Sequence, residues 1–166
     1  MHDMNTAVEP FPVNIQSISD EAIARLAGRI RLPRTAPDRS TINANTWDKL
    51  FVFGEPTSAM FLQVKKRSFW LSRMERHIAT QEVVIALNGP VVVPMAPAGQ
   101  LAESQGKMIA FYLPQGEGLI IHSGVWHLAP FPLEETAGVL VLFKTDTPQK
   151  DMEFQELKPP VQMVWA

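Results

Sequence analysis

From about residue 47 onward, aliphatic, β-branched and aromatic residues recur in short runs broken by turn formers. The runs cover roughly 58–64, 67–76, 81–87, 90–95, 108–113, 118–122 and 137–144. Between them stand Asn88-Gly89, Pro97-Ala98-Gly99, Pro114-Gln115-Gly116 and Pro130-Phe131-Pro132. Met60, Leu62 and Val64 alternate with Phe61 and Gln63, so neighbours fall on opposite faces of a strand. Short strands at near-regular spacing predict a sandwich or barrel, and Asn88-Gly89 predicts a hairpin. Ahead of this region, Val13, Ile15 and Ile18 predict a first strand. Ser19–Gly28 then predicts one short helix, with Ser19 as N-cap, acids in the first turn, an apolar face of Ile23 and Leu26, and Gly28 as C-cap. Residues 1–12 read as a loose N-terminal segment and 31–46 as a long loop rich in Pro, Arg, Asn and Thr. Residues 97–106 read as turn or loop, and the apolar end of the tail 157–166 is expected to dock back on the barrel.

Length adds that 1–166 is a single domain, long enough to bury a core without staples. A formal net charge of -2 with no basic run gives no electrostatic case for nucleic acid or an anionic membrane. The one tight basic cluster, Lys65-Lys66-Arg67, reads as a solvated turn. The absence of cysteine excludes disulfides, thiolate nucleophiles and cysteine-ligated metal. The N-terminus has neither a basic n-region nor an apolar h-region, and no apolar run nears the ~20 residues of a membrane span. The expectation is a cytoplasmic protein.

Candidate chemistry gathers around histidine. Of four histidines, His2 lies in the loose start, while His77, His122 and His127 fall in two short neighbourhoods. The second neighbourhood runs from Gly116 to His127. It resembles the second cupin motif, G-x5-P-x-G-x2-H, with His122 at the place of the proline. Gly124 permits the tight turn before His127, which is then aimed into the barrel mouth, and Trp126 faces the other way. The first neighbourhood holds Glu75, His77, Gln81 and Glu82. It resembles the first cupin motif, H-x-H-x3,4-E, with Glu75 at the first histidine and Gln81 and Glu82 at the two places open to the acid. The spacing of Glu75 and His77 puts both on one strand face. Together with His127 they would form an N/O site for a divalent metal such as Ni, Zn or Mn. Glu82 carries two readings, a solvated rim charge and a proton-transfer group, and Trp126 is divided between core packing and substrate contact. The motifs imply a mainly β fold, the cupin-like double-stranded β-helix or jelly-roll barrel, with a short N-terminal helix.

Glu75-Arg76-His77 with Thr80-Gln81, and His122-x-Gly124-Val125-Trp126-His127, further resemble the ureidoglycolate lyase family. The segment Ser17–Ile23 and the short apolar C-terminus are similar as well, although Ile78 stands where the family has proline. The resemblance implies a dimeric barrel that cleaves (S)-ureidoglycolate to glyoxylate and urea late in purine (allantoin) degradation. Glu75, His77 and His127 would hold or face the metal. His122, His127, Glu75 and Glu82 are the catalytic candidates, with His122 or Glu82 as acid or base. Gln81, His77 and Trp126 are the candidates for contact with a small carboxylate substrate. Two alternatives stay open on this scaffold: another enzyme acting on a small hydroxy acid or sugar acid, and a small-molecule binder without chemistry.

Overall fold

A computed structural model describes residues 10–30, 36–40, 45–46 and 54–165. The expectations for His2 and most of the loose start fall outside them.

Two sheets account for most of the described residues. The larger contains β1 (Phe11–Ser17), β6 (Trp70–Arg76), β8 (Val91–Ala96), β9 (Ile109–Leu113), β11 (Trp126–His127), β12 (Phe131–Pro132) and β14 (Glu153–Trp165). Its order is β11-β6-β14-β1-β9-β8-β12, and a further pairing of β11 with β8 closes it on itself. The smaller contains β2 (Ala27–Ile30), β5 (Thr57–Lys65), β7 (Glu82–Asn88), β10 (Gly118–Ile121) and β13 (Thr136–Lys144), in the order β2-β10-β7-β13-β5. A two-stranded ribbon, β3 (Arg39–Ser40) with β4 (Asn45–Thr46), lies within the segment expected to be loop. The described residues also include three one-turn α-helices: α1 (Asp20–Ile23), α2 (Leu101–Ser104) and α3 (Thr147–Lys150).

Two apolar cores follow from strand alternation. On β8, Val91, Val93 and Met95 join Phe111, Leu113, Val84, Ala86, Leu119, Ile121 and Val139 in a core between the sheets. Val92 and Ala96, on the opposite face of β8, join Ile15, Leu71, Met74, Trp126, Phe131 and Val161 in a second core. Each fully buried aliphatic or aromatic side chain contributes on the order of 1.5–3 kcal/mol through removal from water. The tail docks as expected, because β14 pairs antiparallel with β6 and parallel with β1.

Three expectations are corrected. The helix ends at Ile23: Ser19 Oγ does accept the Ala22 N–H as an N-cap, but Ala27–Ile30 pairs antiparallel with β10. Pairing with a neighbouring strand has overridden the helical preference of Ala-Arg-Leu-Ala. Consequently Gly28 sits within β2, against Ile120, and caps no helix. The loop after β8 contains α2, with Leu101 buried. The first strand begins at Phe11, inside the segment expected to be loose. The basic cluster also gains a structural role, since Lys66 pairs with Glu135 and the Arg67 guanidinium lies 3.7 Å over the Phe131 ring.

Gly118 opens β10 where the strands approach closely. A Cβ there would lie 2.9 Å from the Val84 carbonyl oxygen and from Ile85 Cγ1. The backbone oxygen cannot move without disturbing the β7–β10 ladder. Gly118→Ala is therefore expected to destabilise the protein by about 1–3 kcal/mol, read as a lower urea midpoint with an unchanged slope.

Candidate functional site

The site forms where the two sheets meet at one end of the core. A register row across the larger sheet runs Glu75–His127–Met95–Ile109, from β6 through β11 and β8 to β9. Met95 faces the inter-sheet core, so His127 and Glu75 face the same way. In the smaller sheet Glu82 opens β7 on the face shared with Val84 and Ala86, which belong to that core. His77 follows β6, and the turn 78–81 carries the chain from it to Glu82. Gly124, in the left-handed region at φ 78°, donates its N–H to the His77 carbonyl at 2.6 Å and leads into β11.

Each imidazole is oriented from behind by a backbone carbonyl. His77 Nδ1 lies 2.6 Å from the Asp151 carbonyl oxygen, and His127 Nδ1 lies 3.0 Å from that of Val125. A carbonyl only accepts, so both Nδ1 atoms carry hydrogen and both Nε2 atoms are turned toward Glu82. His77 Nε2 lies 3.0 Å from Glu82 Oε2. His127 Nε2 stands 3.8 Å from the same oxygen, too far for a hydrogen bond, and it is a buried atom with no hydrogen-bond partner among the described residues. The two Nε2 atoms and a Glu82 oxygen lie within 4.8 Å of one another. Two nitrogens and one carboxylate oxygen, with both imidazoles braced at Nδ1, are a donor set that fits a divalent transition metal. The partnerless Nε2 is the atom such an ion would satisfy.

The charges are strongly perturbed. Burial pushes the Glu82 carboxyl up, but the two imidazoles outweigh this and hold it at about 2. Burial pulls both imidazoliums down, and attraction to Glu82, aided by the backbone carbonyls, raises them above 6.5. Glu75 belongs to a different class. Burial raises its carboxyl above 4.5, and Glu82 raises it further against the pull of His127 and His77.

The cluster that could hold a metal therefore differs from the expected Glu75, His77 and His127. Glu82 takes the third place, as an inward-facing anion and not a rim charge, and Glu75 stands beside the cluster. Both Nε2 atoms and the Glu82 carboxylate converge because β7 brings Glu82 in from the second sheet. Trp126 is fully buried, with its indole N–H donated to the Gly99 carbonyl and Arg76 stacked 4.2 Å from its ring, so it packs the second core and is closed to a substrate. His122 is half-buried just after β10, its backbone N–H bonded to the Leu26 carbonyl, and its ring is outside the cluster. Gln81 is exposed on the wall of a cavity of about 300 Å³, together with Thr80, Ser123 and Lys144. Nothing in the sequence marks Asp151. Its carbonyl braces His77 from a residue distant along the chain, and no spacing signals that.

The shifts fix how the metal-free protein responds to pH. Glu82 is depressed, so its contribution is complete above pH 4.5 and is lost as pH falls toward 2. His77 and His127 are raised, so theirs is complete below pH 6.5 and is lost as pH climbs through their folded values. Glu75, also raised, contributes fully only below pH 4.5 and loses its share as pH rises through its folded value, which draws the optimum toward the acid end of the range. Thermal midpoints in the presence of a chelator should peak between about pH 4.5 and 6.5. Glu82→Gln should lower the peak and flatten the alkaline limb.

No curated protein matches this sequence. Solved structures with similar folds include a dTDP sugar isomerase from Desulfovibrio desulfuricans, at 17% identity and a TM-score of 0.52 over 76% of this chain and 82% of that one. A 3,4-ketoisomerase from Thermoanaerobacterium thermosaccharolyticum is 20% identical, with a TM-score of 0.46 over 76% and 86%. Oxalate decarboxylase from Lactobacillus farciminis is 16% identical, with a TM-score of 0.43 over 60% of this chain, and this chain spans only 26% of its length. The barrel is of the cupin type. The family model described as ureidoglycolate lyase matches residues 11–164, nearly the whole of the sequence, and the chain belongs to that family.

Proposed function

We propose that this protein is a lyase that splits ureidoglycolate into glyoxylate and urea, with a divalent metal held by His77, Glu82 and His127. The observation that supports it best is the convergence of two braced Nε2 atoms, one without a partner among the described residues, on a largely enclosed carboxylate. A metal bound there would supply a Lewis acid that lowers the pKa of a substrate hydroxyl and anchors the adjacent carboxylate.

The reaction breaks the bond between the hydroxyl-bearing carbon and the ureido nitrogen. The hydroxyl loses a proton and becomes the aldehyde carbonyl of glyoxylate, and the departing nitrogen gains one as urea. The net proton movement is from oxygen to nitrogen within the substrate, so one group able both to give and to take can relay it. Glu82 is unsuited, because a carboxylate held at about 2 remains an anion at neutral pH. Glu75 is better suited, because its carboxyl is raised, faces the same side as His127 and lies one strand away. Glu75 would protonate the leaving nitrogen from one carboxyl oxygen and receive the hydroxyl proton on the other. The ureido end would take amide and hydroxyl groups from the cavity lined by Gln81 and Ser123, residues next in sequence to Glu82 and Gly124. On this reading the protein works in purine degradation, in the cytoplasm, on a small carboxylate and with no nucleic-acid or membrane partner. Among the described residues no helix is long and apolar enough to cross a membrane.

Glyoxylate release from (S)-ureidoglycolate, measured against a protein-free blank, tests the assignment. Glu75→Gln should lower kcat by about 10²–10⁴-fold while leaving Zn, Ni or Mn content intact. His127→Ala and Glu82→Gln should lose both metal and turnover, whereas His122→Ala should leave most of the turnover in place. Full turnover in His127→Ala would overturn the site. We also propose that the protein is a homodimer. The supporting feature is the edge strand β5, which among the described residues pairs only with β13 and exposes Met60 and Phe61. Light scattering at micromolar concentration should give twice the chain mass of 18.6 kDa.

A further inference from the structure

Asp151 grips the framework of the site through both its side chain and its backbone. It sits between α3 and β14, half-buried, where its own N–H is donated to the Thr147 carbonyl at 2.9 Å. Its Oδ1 accepts the Ile78 N–H at 2.8 Å, and its Oδ2 accepts the Ala79 N–H at 3.0 Å and the Thr80 hydroxyl at 2.8 Å. Its carbonyl accepts the His77 Nδ1–H at 2.6 Å. Two residues later β14 has begun, and Glu153 pairs in register with Arg76, the residue before His77. One residue thus holds both the turn and the ring from which the turn starts.

The turn is the part of the site with least support of its own. Residues 77–81 belong to neither sheet, and Ile78, Ala79 and Gln81 are exposed. Yet the turn joins His77 to Glu82 and so fixes the separation of two groups that must meet within 3.0 Å. A carboxylate accepting two adjacent backbone N–H groups and a hydroxyl is a charge-assisted clamp on such a turn. Thr147, itself buried, extends the clamp: its hydroxyl reaches the Lys144 carbonyl at 2.7 Å and lies 3.4 Å from that of Thr80.

We propose that Asp151 is the positioning residue of this site, its carboxylate locking the 78–80 turn so that its carbonyl holds His77 with Nε2 aimed at Glu82. The proposal rests on the reading of His77 as a metal ligand. It assigns Asp151 no contact with substrate. Loss of the side chain should free the turn and leave the carbonyl of residue 151 poorly placed for Nδ1, and braces of this kind typically change metal affinity by about 10–100-fold.

Two measurements on the full chain test it together. The first is the exchange rate of the His77 Nδ1–H proton in the metal-free protein, assigned with His77→Gln. The second is the Zn(II) dissociation constant from competition with a chromophoric chelator. Asp151→Ala should speed exchange markedly and weaken Zn(II) binding about 10–100-fold. Asp151→Asn, which keeps one acceptor oxygen, should fall between it and the wild type. Asp146→Asn, which alters the same segment through an exposed pair with Lys150, should match the wild type in both. Unchanged exchange, or an unchanged dissociation constant, in Asp151→Ala would overturn the proposal. So would equal losses in Asp146→Asn, which would reduce Asp151 to general support of the segment. Should Asp151→Ala fail to fold, Asp151→Asn carries the same two criteria. A wild-type protein that releases no glyoxylate, yet shows these shifts, would sink the lyase reading and leave the role of Asp151 standing.

Discussion

Removing the Glu82 carboxylate from water would be costly if nothing compensated it, and the fold is arranged so that two imidazoles do. One hydrogen-bonds to it directly and the other faces it from 3.8 Å. Neither imidazole comes from the strand that carries Glu82, so compensation is available only when both sheets are in place. The anion on β7 thereby acts as a check on assembly. Its partners reach it through the end of β6 and through β11, which the larger sheet holds between β6 and β8. A pairing slip of one residue in β11 would turn His127 into the second core and Trp126 toward Glu82, leaving a buried charge without its partner.

The pocket also divides its two acids by environment. Glu82 lies between two bases and is held ionised, while Glu75, next to the same group, feels desolvation and the negative charge of Glu82 and retains its proton more readily. Both are glutamates on neighbouring stretches of chain, so sequence alone could not tell which carboxyl is held ionised and which is raised. Two carboxyls pushed in opposite directions at one site are the usual basis for separating such roles.

The barrel and His127 were legible because their signals are local. Alternating runs, Asn88-Gly89 and the Gly-x-x-His spacing each act within a short stretch of chain. The helix expected to reach Gly28 shows the opposite case: its C-terminal half has helical propensity, but the open edge of β10 took Ala27–Ile30 as a strand. Glu82 could have been read correctly by extending the alternation backward from Val84 and Ala86, which places it inward with them. Its position directly after an exposed turn suggests the opposite. Trp126 and Glu75 were placed on the right strand faces, but which face looked onto the pocket's chemistry, and which onto a second core, depended on β14 folding across the outside. Asp151 was beyond reach, since its contacts with residues 77–80 arise only from the return of the chain through α3.

That second core changes what β8 can tolerate. All six residues from Val91 to Ala96 are fully buried, with Val91, Val93 and Met95 against the smaller sheet and Val92 and Ala96 against the core shared with β1, β6 and β14. An ordinary barrel strand has an outer face on which mutations drift freely, so its tolerance to change rises and falls with a period of two. Here that period is erased. Drift along β8 is restricted at every step, and the strand that aligns His127 through Met95 is shielded from gradual change by having no outside.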